Sequence, residues 1–198
     1  MATSVDICNA ALGMLGVGGT ITTLNDNSLK GQVCKRYYDR TRKQLLRMHA
    51  WSFAIQSEAL VNTPSTPTHP LWDNIYNRPA DCIRVLNVHR ATDNEPVEHV
   101  VEREDKSPTD LSIFANLPSL YIRYIKDVQT VDDFDDLFDQ ALTVLLAAKM
   151  AMALGKGGEM AEKLRVEFLN LMPVAAGTDS EEGHSEDRSM ATWIEDRQ

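Results

Sequence analysis

The chain is short of cysteine, of basic residues and of long apolar runs, and each shortage removes a class of protein. Cys8, Cys34 and Cys82 are its three cysteines, far apart and in no C-x-x-C pair. Neither a disulfide framework nor a zinc ribbon can be written from them, and buried, reduced thiols are the expected state. Twenty Lys and Arg stand against 29 Asp and Glu, for a net charge of -9. That balance argues against a dedicated nucleic-acid binder with a strongly basic face. The longest apolar stretch, 141–154, is broken by Thr143 and Lys149. As a helix it spans about 21 Å, too short to cross a bilayer, so no membrane partner is expected. The first residues, MATSVDICNA, carry no basic region and include Asp6 and Asn9, so no secretory signal is expected.

Catalytic motifs are missing as well. The five histidines (His49, His69, His89, His99 and His184) form no H-x-x-x-H pattern, and no Ser sits in a G-x-S-x-G elbow. His89 and His99 could meet across a hairpin, a placement more typical of a sheet contact than of a metal site. Gly16-Val17-Gly18-Gly19 contains no lysine, and Gly155-Lys156-Gly157-Gly158 lacks the Walker spacing. Both clusters are better read as helix terminators. With no nucleophile, base and orienting group to assemble, neither an enzyme nor a cofactor is expected.

The strongest positive feature is the segment from Ser28 to Ala54. Between Lys30 and Arg47 it carries seven cations (Lys30, Lys35, Arg36, Arg40, Arg42, Lys43, Arg47) against one acid, Asp39. Leu29, Val33, Tyr37, Leu45 and Met48 recur at near-helical spacing, widened by Cys34, Tyr38 and Leu46, which predicts an amphipathic helix. A cationic helix in an anionic chain suggests a surface that meets an acidic one, often on a second copy. The plainer alternative is a solvated helix with one buried face. Tyr37, Tyr38, Trp51 and Phe53 could stack on nucleic acid, but their periodic placement favours a core role.

The element pattern predicts an α+β fold: mainly an α-helical bundle, with a smaller antiparallel β region and an extended acidic C-terminal arm. Helices are expected at about 4–15, 28–49, 131–154 and 159–171, with a β-rich insertion at about 52–128. Residues 1–177 would form one domain, and 178–198 the arm. Thr3 with Asp6 resembles a capping box. Strands are expected at 52–61, 83–88, 97–101 (paired with 83–88), 113–115 and 120–128. The last has mixed character on both faces and reads as an edge or ring-interface strand. Asp132, Asp133, Asp135, Asp136 and Asp139 crowd the start of the third helix, where the helix dipole favours them. They lack the glycine and terminal glutamate of a calcium loop, so no metal is expected. Residues 141–154 are apolar nearly all round, as befits a helix surrounded by protein. Pro173 is expected to close the fourth helix. The arm is acidic yet ends near Trp193-Ile194, a pair suited to anchoring on a partner.

Four segments in order resemble one family: ICNAALGMLG, the basic helix closing in LLRMHAWSFA, PADCIRVLNV, and YIRYIKDVQTVDDFDDLFDQALTVLLAAKMA. The chain resembles the bacteriophage tail tubular protein A family, the head-to-tail adaptors of short-tailed phages, over roughly residues 4 to 172. The resemblance implies a structural virion protein at the head–tail junction rather than an enzyme. It implies a homo-oligomeric ring, commonly a dodecamer, between the portal protein and a tail nozzle of the tubular protein B type. Such a ring seals the filled head and lines the exit channel, through which DNA passes without sequence-specific binding. Within that frame, Arg36, Arg40, Arg42, Lys43 and Arg47 are expected to contact Asp132, Asp133, Asp135 and Asp136 of a neighbour, or the portal. Trp193 and Ile194 are expected to dock on the portal. Two other functions fit the sequence: a head-completion or stopper connector of another tailed phage, and a nucleic-acid-binding regulatory protein using the basic helix.

Overall fold

Thr3 and Asp6 start the first helix as a reciprocal cap. The Thr3 hydroxyl accepts from the Asp6 amide, and the Asp6 carboxylate accepts from the Thr3 amide at 2.9 Å, so two open donors are satisfied. From this cap α1 runs Ser4–Met14 and buries Ile7, Cys8, Ala11 and Leu12. The structure, a computed structural model, describes residues 3–63, 71–92, 95–103 and 111–183. Among these residues there are four α-helices and two three-stranded antiparallel sheets, so the fold is α+β. All three cysteines are buried and free.

Gly16 and Gly19, with φ of 59° and 78°, turn the chain out of α1. The Asn9 side chain then holds the connecting loop, donating to the Ile21 carbonyl at 3.0 Å and accepting from its amide at 2.9 Å. Ser28 caps α2 (Leu29–Met48) by accepting from the Gly31 amide. The third helix starts later than the sequence pattern predicts. Val131–Asp133 form one 3-10 turn, and α3 runs Asp136–Ala151 with Asp135 as its cap. Asp135 Oδ1 accepts from the amides of Leu137 and Phe138, so the chain switches to α geometry where a side chain can satisfy the first donors. As its composition predicts, α3 is central: it packs against α1, α2 and α4 and buries residues on several faces, including Phe138, Leu142, Leu146 and Met150.

The last helix departs most from expectation. Pro173 does not close it; α4 runs Gly157–Gly183 with the proline inside. An interior proline costs a helix roughly 3 kcal/mol. Here the turns beyond it bury Ala175 and Asp179, and those tertiary contacts offset the penalty. The boundary expected at 178 is therefore corrected, since residues 178–183 belong to α4.

Strands β1 (Ile55–Ala59), β6 (Leu120–Lys126) and β3 (Cys82–Arg90) form one sheet in the order β1-β6-β3, and β2 (Asn74–Asn77), β5 (Leu111–Ala115) and β4 (Val100–Arg103) the other, ordered β2-β5-β4. Two expectations are overturned. β6 is the middle strand of its sheet, not an edge. Its Leu120, Ile122 and Tyr124 are buried in a core shared by both sheets, while Ile125 joins the helical core. Tyr124 reads as polar in sequence, yet its ring is buried and its hydroxyl reaches Asp81 at 3.2 Å. β4 pairs with β5 rather than β3; a bridge between His89 and Pro96 and backbone bonds from Arg90 to Glu95 and from Val97 to Val88 join the 95–97 segment to β3. β2 was not expected, because Asn74 and Asn77 bracket only two apolar residues. Ser52–Ala54, expected as strand, is a 3-10 turn.

Candidate functional site

Four cations of α2 occur at 36, 40, 43 and 47. Steps of four, three and four keep them on one side of a helix, and all four are exposed. The opposite side, Gly31, Cys34, Tyr38, Thr41 and Leu45, is buried. Of the predicted apolar stripe, Val33, Cys34, Tyr38, Leu45 and Leu46 are buried, whereas its end residues Leu29 and Met48 lie outside, at 63% and 46% exposure.

Arg42 does not belong to the exposed row. It sits on the flank of the buried face at 2% exposure, with one guanidinium nitrogen 2.6 Å from Asp39 and the other 2.6 Å from Asp127. The nitrogen facing Asp127 also donates to the Val128 carbonyl. Lys43 reaches the same two carboxylates at 3.1 and 3.4 Å. Burial alone would depress the Arg42 pKa, but the bonds to Asp127 and Asp39 outweigh it and the guanidinium is held above its ordinary value. Burial also works against the Asp39 carboxylate, which Arg42 and Lys43 nonetheless hold below its usual range. The cluster clamps α2 to the chain leaving β6. Arg42 as a docking residue is therefore corrected: its charge is spent inside the molecule.

Beside the exposed row lies a groove of about 580 Å³ between α2 and the start of β3. Arg40, Lys43 and Arg47 form its rim, with Met48, Cys82 and Ile83 giving it an apolar floor. A second cavity of about 280 Å³ shares Arg47 and Ile83 and adds Arg78 and Arg84. Arg47 donates to the Ile83 carbonyl at 2.8 Å, which fixes the junction of the two. The carboxylates lining the groove are Asp81, 3.9 Å from Lys126, and Asp127, held by Arg42 and Lys43. The Arg84 Nε is buried and has no partner among the described residues.

The acidic segment divides three ways. Asp132, Asp133 and Asp136 are exposed; Asp135 is used as the α3 cap; Asp139 turns inward. Burial, with Asp136 adding like charge, raises the Asp139 pKa above its ordinary value. A carboxyl raised in the folded state stabilises the fold at pH below that value. The contribution is lost as pH rises from the unfolded pKa through the folded one. Asp139→Asn is thus expected to raise the melting temperature at pH 7 and to reduce the gain seen on acidification toward pH 5. Melting curves at the two pH values check this, and an unchanged pH slope would oppose it.

A second polar cluster escaped the sequence pattern. Asp179, only 7% exposed, accepts from the Ser52 amide at 2.9 Å and lies 2.7 Å from His49 Nε2. The Ser52 hydroxyl donates to the Asp179 carbonyl rather than to the imidazole, so the three residues are a clasp and not a nucleophile–base pair. The clasp fixes the last turns of α4 beside the end of α2. A separation of about 130 positions leaves no local spacing by which it could be foreseen.

Trp193 and Ile194 lie outside the described residues. Among the described residues no three His, Cys, Asp or Glu side chains gather as metal ligands, and no helix is long and apolar enough to cross a membrane. A scan against protein-family models finds no match to this chain, and a search of curated proteins finds none either.

Proposed function

We propose that the chain is a structural virion protein that assembles as a ring-shaped adaptor between a phage portal and tail nozzle. The observation that carries this reading is the pairing of unlike charged surfaces on one molecule. Arg36, Arg40, Lys43 and Arg47 form an exposed row on α2, while Asp132, Asp133 and Asp136 stand exposed before and at the start of α3. A ring needs a heterologous interface, in which one surface meets a different surface of the next copy, and these two are complementary. The chain's -9 charge suits a channel along which DNA slides without binding. The resemblance of the four sequence segments supplies the biological setting.

The test is negative-stain imaging of the protein with its cognate portal, beside the protein alone. A ring stacked coaxially on the portal is the expected result, and absence of association across several salt concentrations would refute it. Reversing Arg36, Arg40 and Arg47 to Glu is expected to weaken self-association at least about tenfold, or about 1.4 kcal/mol. Reversing Asp132, Asp133 and Asp136 to Lys in the mixed partner should restore it. Sedimentation velocity reads both, and unaltered association would remove the assigned contact.

A further inference from the structure

The groove beside α2 has more built into it than a row of surface charges. It joins an apolar floor (Met48, Cys82, Ile83) to Arg40, Lys43 and Arg47 of α2, and the adjoining cavity, which shares Arg47 and Ile83, adds Arg78 and Arg84. In a chain of net charge -9, gathering cations around apolar surface selects an occupant that is both acidic and apolar. Asp81 and Asp127 in the wall are already paired with Lys126, Arg42 and Lys43, which leaves Arg40 and the donors of Arg47 not spent on the Ile83 carbonyl to meet it. In the adjoining cavity the Arg84 Nε, buried and without a partner among the described residues, is a donor in need of an acceptor.

A segment of that chemistry is attached to the same molecule. Residues 184–198, which lie outside the described residues, carry Glu186, Asp187, Glu195 and Asp196 against Arg188 and Arg197, and the apolar pair Trp193-Ile194. They follow α4, whose last turns the Asp179 clasp holds against His49 and Ser52. His49 is the next residue after Met48, which lines the groove. Fifteen residues extend at most about 50 Å, ample to return along α2. Tethering raises the local concentration of the segment to roughly the millimolar range, so modest contacts suffice.

We propose that the groove between α2 and β3 is the docking site of the chain's own segment 184–198, with Trp193 and Ile194 on the apolar floor and the flanking carboxylates against the cations. The proposal goes beyond the ring reading and concerns the unassembled chain, since Arg40 and Arg47 cannot meet this segment and a neighbour's carboxylates at once.

The experiment is acrylamide quenching of Trp193 in the full chain, isolated as the difference between the wild type and Trp193→Phe. This removes the contributions of Trp51 and Trp72. Docking predicts that Trp193 is quenched several-fold less than in a free peptide of residues 184–198. Arg40→Glu with Arg47→Glu, two exposed ion pairs reversed, should shift the docked population about fivefold toward free. Met48→Ser, which alters the floor without charge, should move it in the same direction and serves should the double reversal unfold. Arg165→Glu on α4 should leave it unmoved. Quenching equal to the free peptide in the wild type would overturn the proposal, as would protection that neither groove variant disturbs. Protection that vanishes on dilution would overturn it too, by placing the segment on another copy.

Discussion

Arg42→Ala is expected to lower the unfolding free energy by about 3–5 kcal/mol, the usual loss when one partner of a buried ion pair is removed. Asp127, at 13% side-chain exposure, would keep its charge with only Lys43 at 3.4 Å to answer it. The Val128 carbonyl would lose its donor as well. For a chain of this size such a loss lowers the melting temperature by about 10 °C. Arg42→Met tests whether charge or bulk matters: with Asp127→Asn in the same chain, most of the loss should be recovered, because the uncompensated carboxylate is gone. Urea unfolding of the two single variants and the double gives the coupling energy. A coupling below about 0.5 kcal/mol, the range of exposed pairs, would mean that the clamp does not hold α2 to the sheet.

Trp51→Ala is expected to be comparably costly, about 3–5 kcal/mol. The indole is fully buried, packs edge-on against Phe138 at 5.1 Å and His49 at 5.0 Å, and donates to the Leu45 carbonyl at 3.1 Å. That carbonyl lies in the last turn of α2, where helix acceptors lack intrahelical partners, so the side chain acts as a cap as well as a core filler. Trp51→Phe keeps most of the volume and removes the donor, and should cost about 1–2 kcal/mol. Loss of His49 packing should also loosen the Asp179 clasp, so protection of the last turns of α4 in hydrogen exchange is expected to fall in Trp51→Ala. Equal protection in wild type and variant would separate the core from the clasp.

These two residues also mark how far the sequence could be read. Trp51 was legible as core, because large aromatics at helical spacing near an apolar face are buried far more often than they are presented. Arg42 was grouped with its basic neighbours by charge, although its position is one helical step from Tyr38 on one side and Leu45 on the other. Read by spacing rather than by charge, it falls on the flank of the buried side, and Arg36, Arg40, Lys43 and Arg47 fall opposite. Of the candidate interaction residues, the exposed rows on α2 and before α3 were visible in sequence. The groove was not, because Met48 and Ile83 are brought together by packing of α2 on β3.

Local chemistry by itself determined the Thr3 cap, the amphipathic α2 and the apolar character of α3, since each depends on residues within a few turns of one another, and composition alone set the -9 charge. Tertiary structure alone decided the rest. It carries α4 through Pro173, because burial of Ala175 and Asp179 outweighs a local helix penalty. It places β6 between β1 and β3 and pairs β4 with β5, because strand partners are chosen by burial on two sheets rather than by nearness in the chain. It turns Arg42 inward, because two carboxylates, one of them from the far end of the β region, meet it there. Contacts across tens to more than a hundred residues leave no period in the sequence, and that is why these features had to be seen in three dimensions.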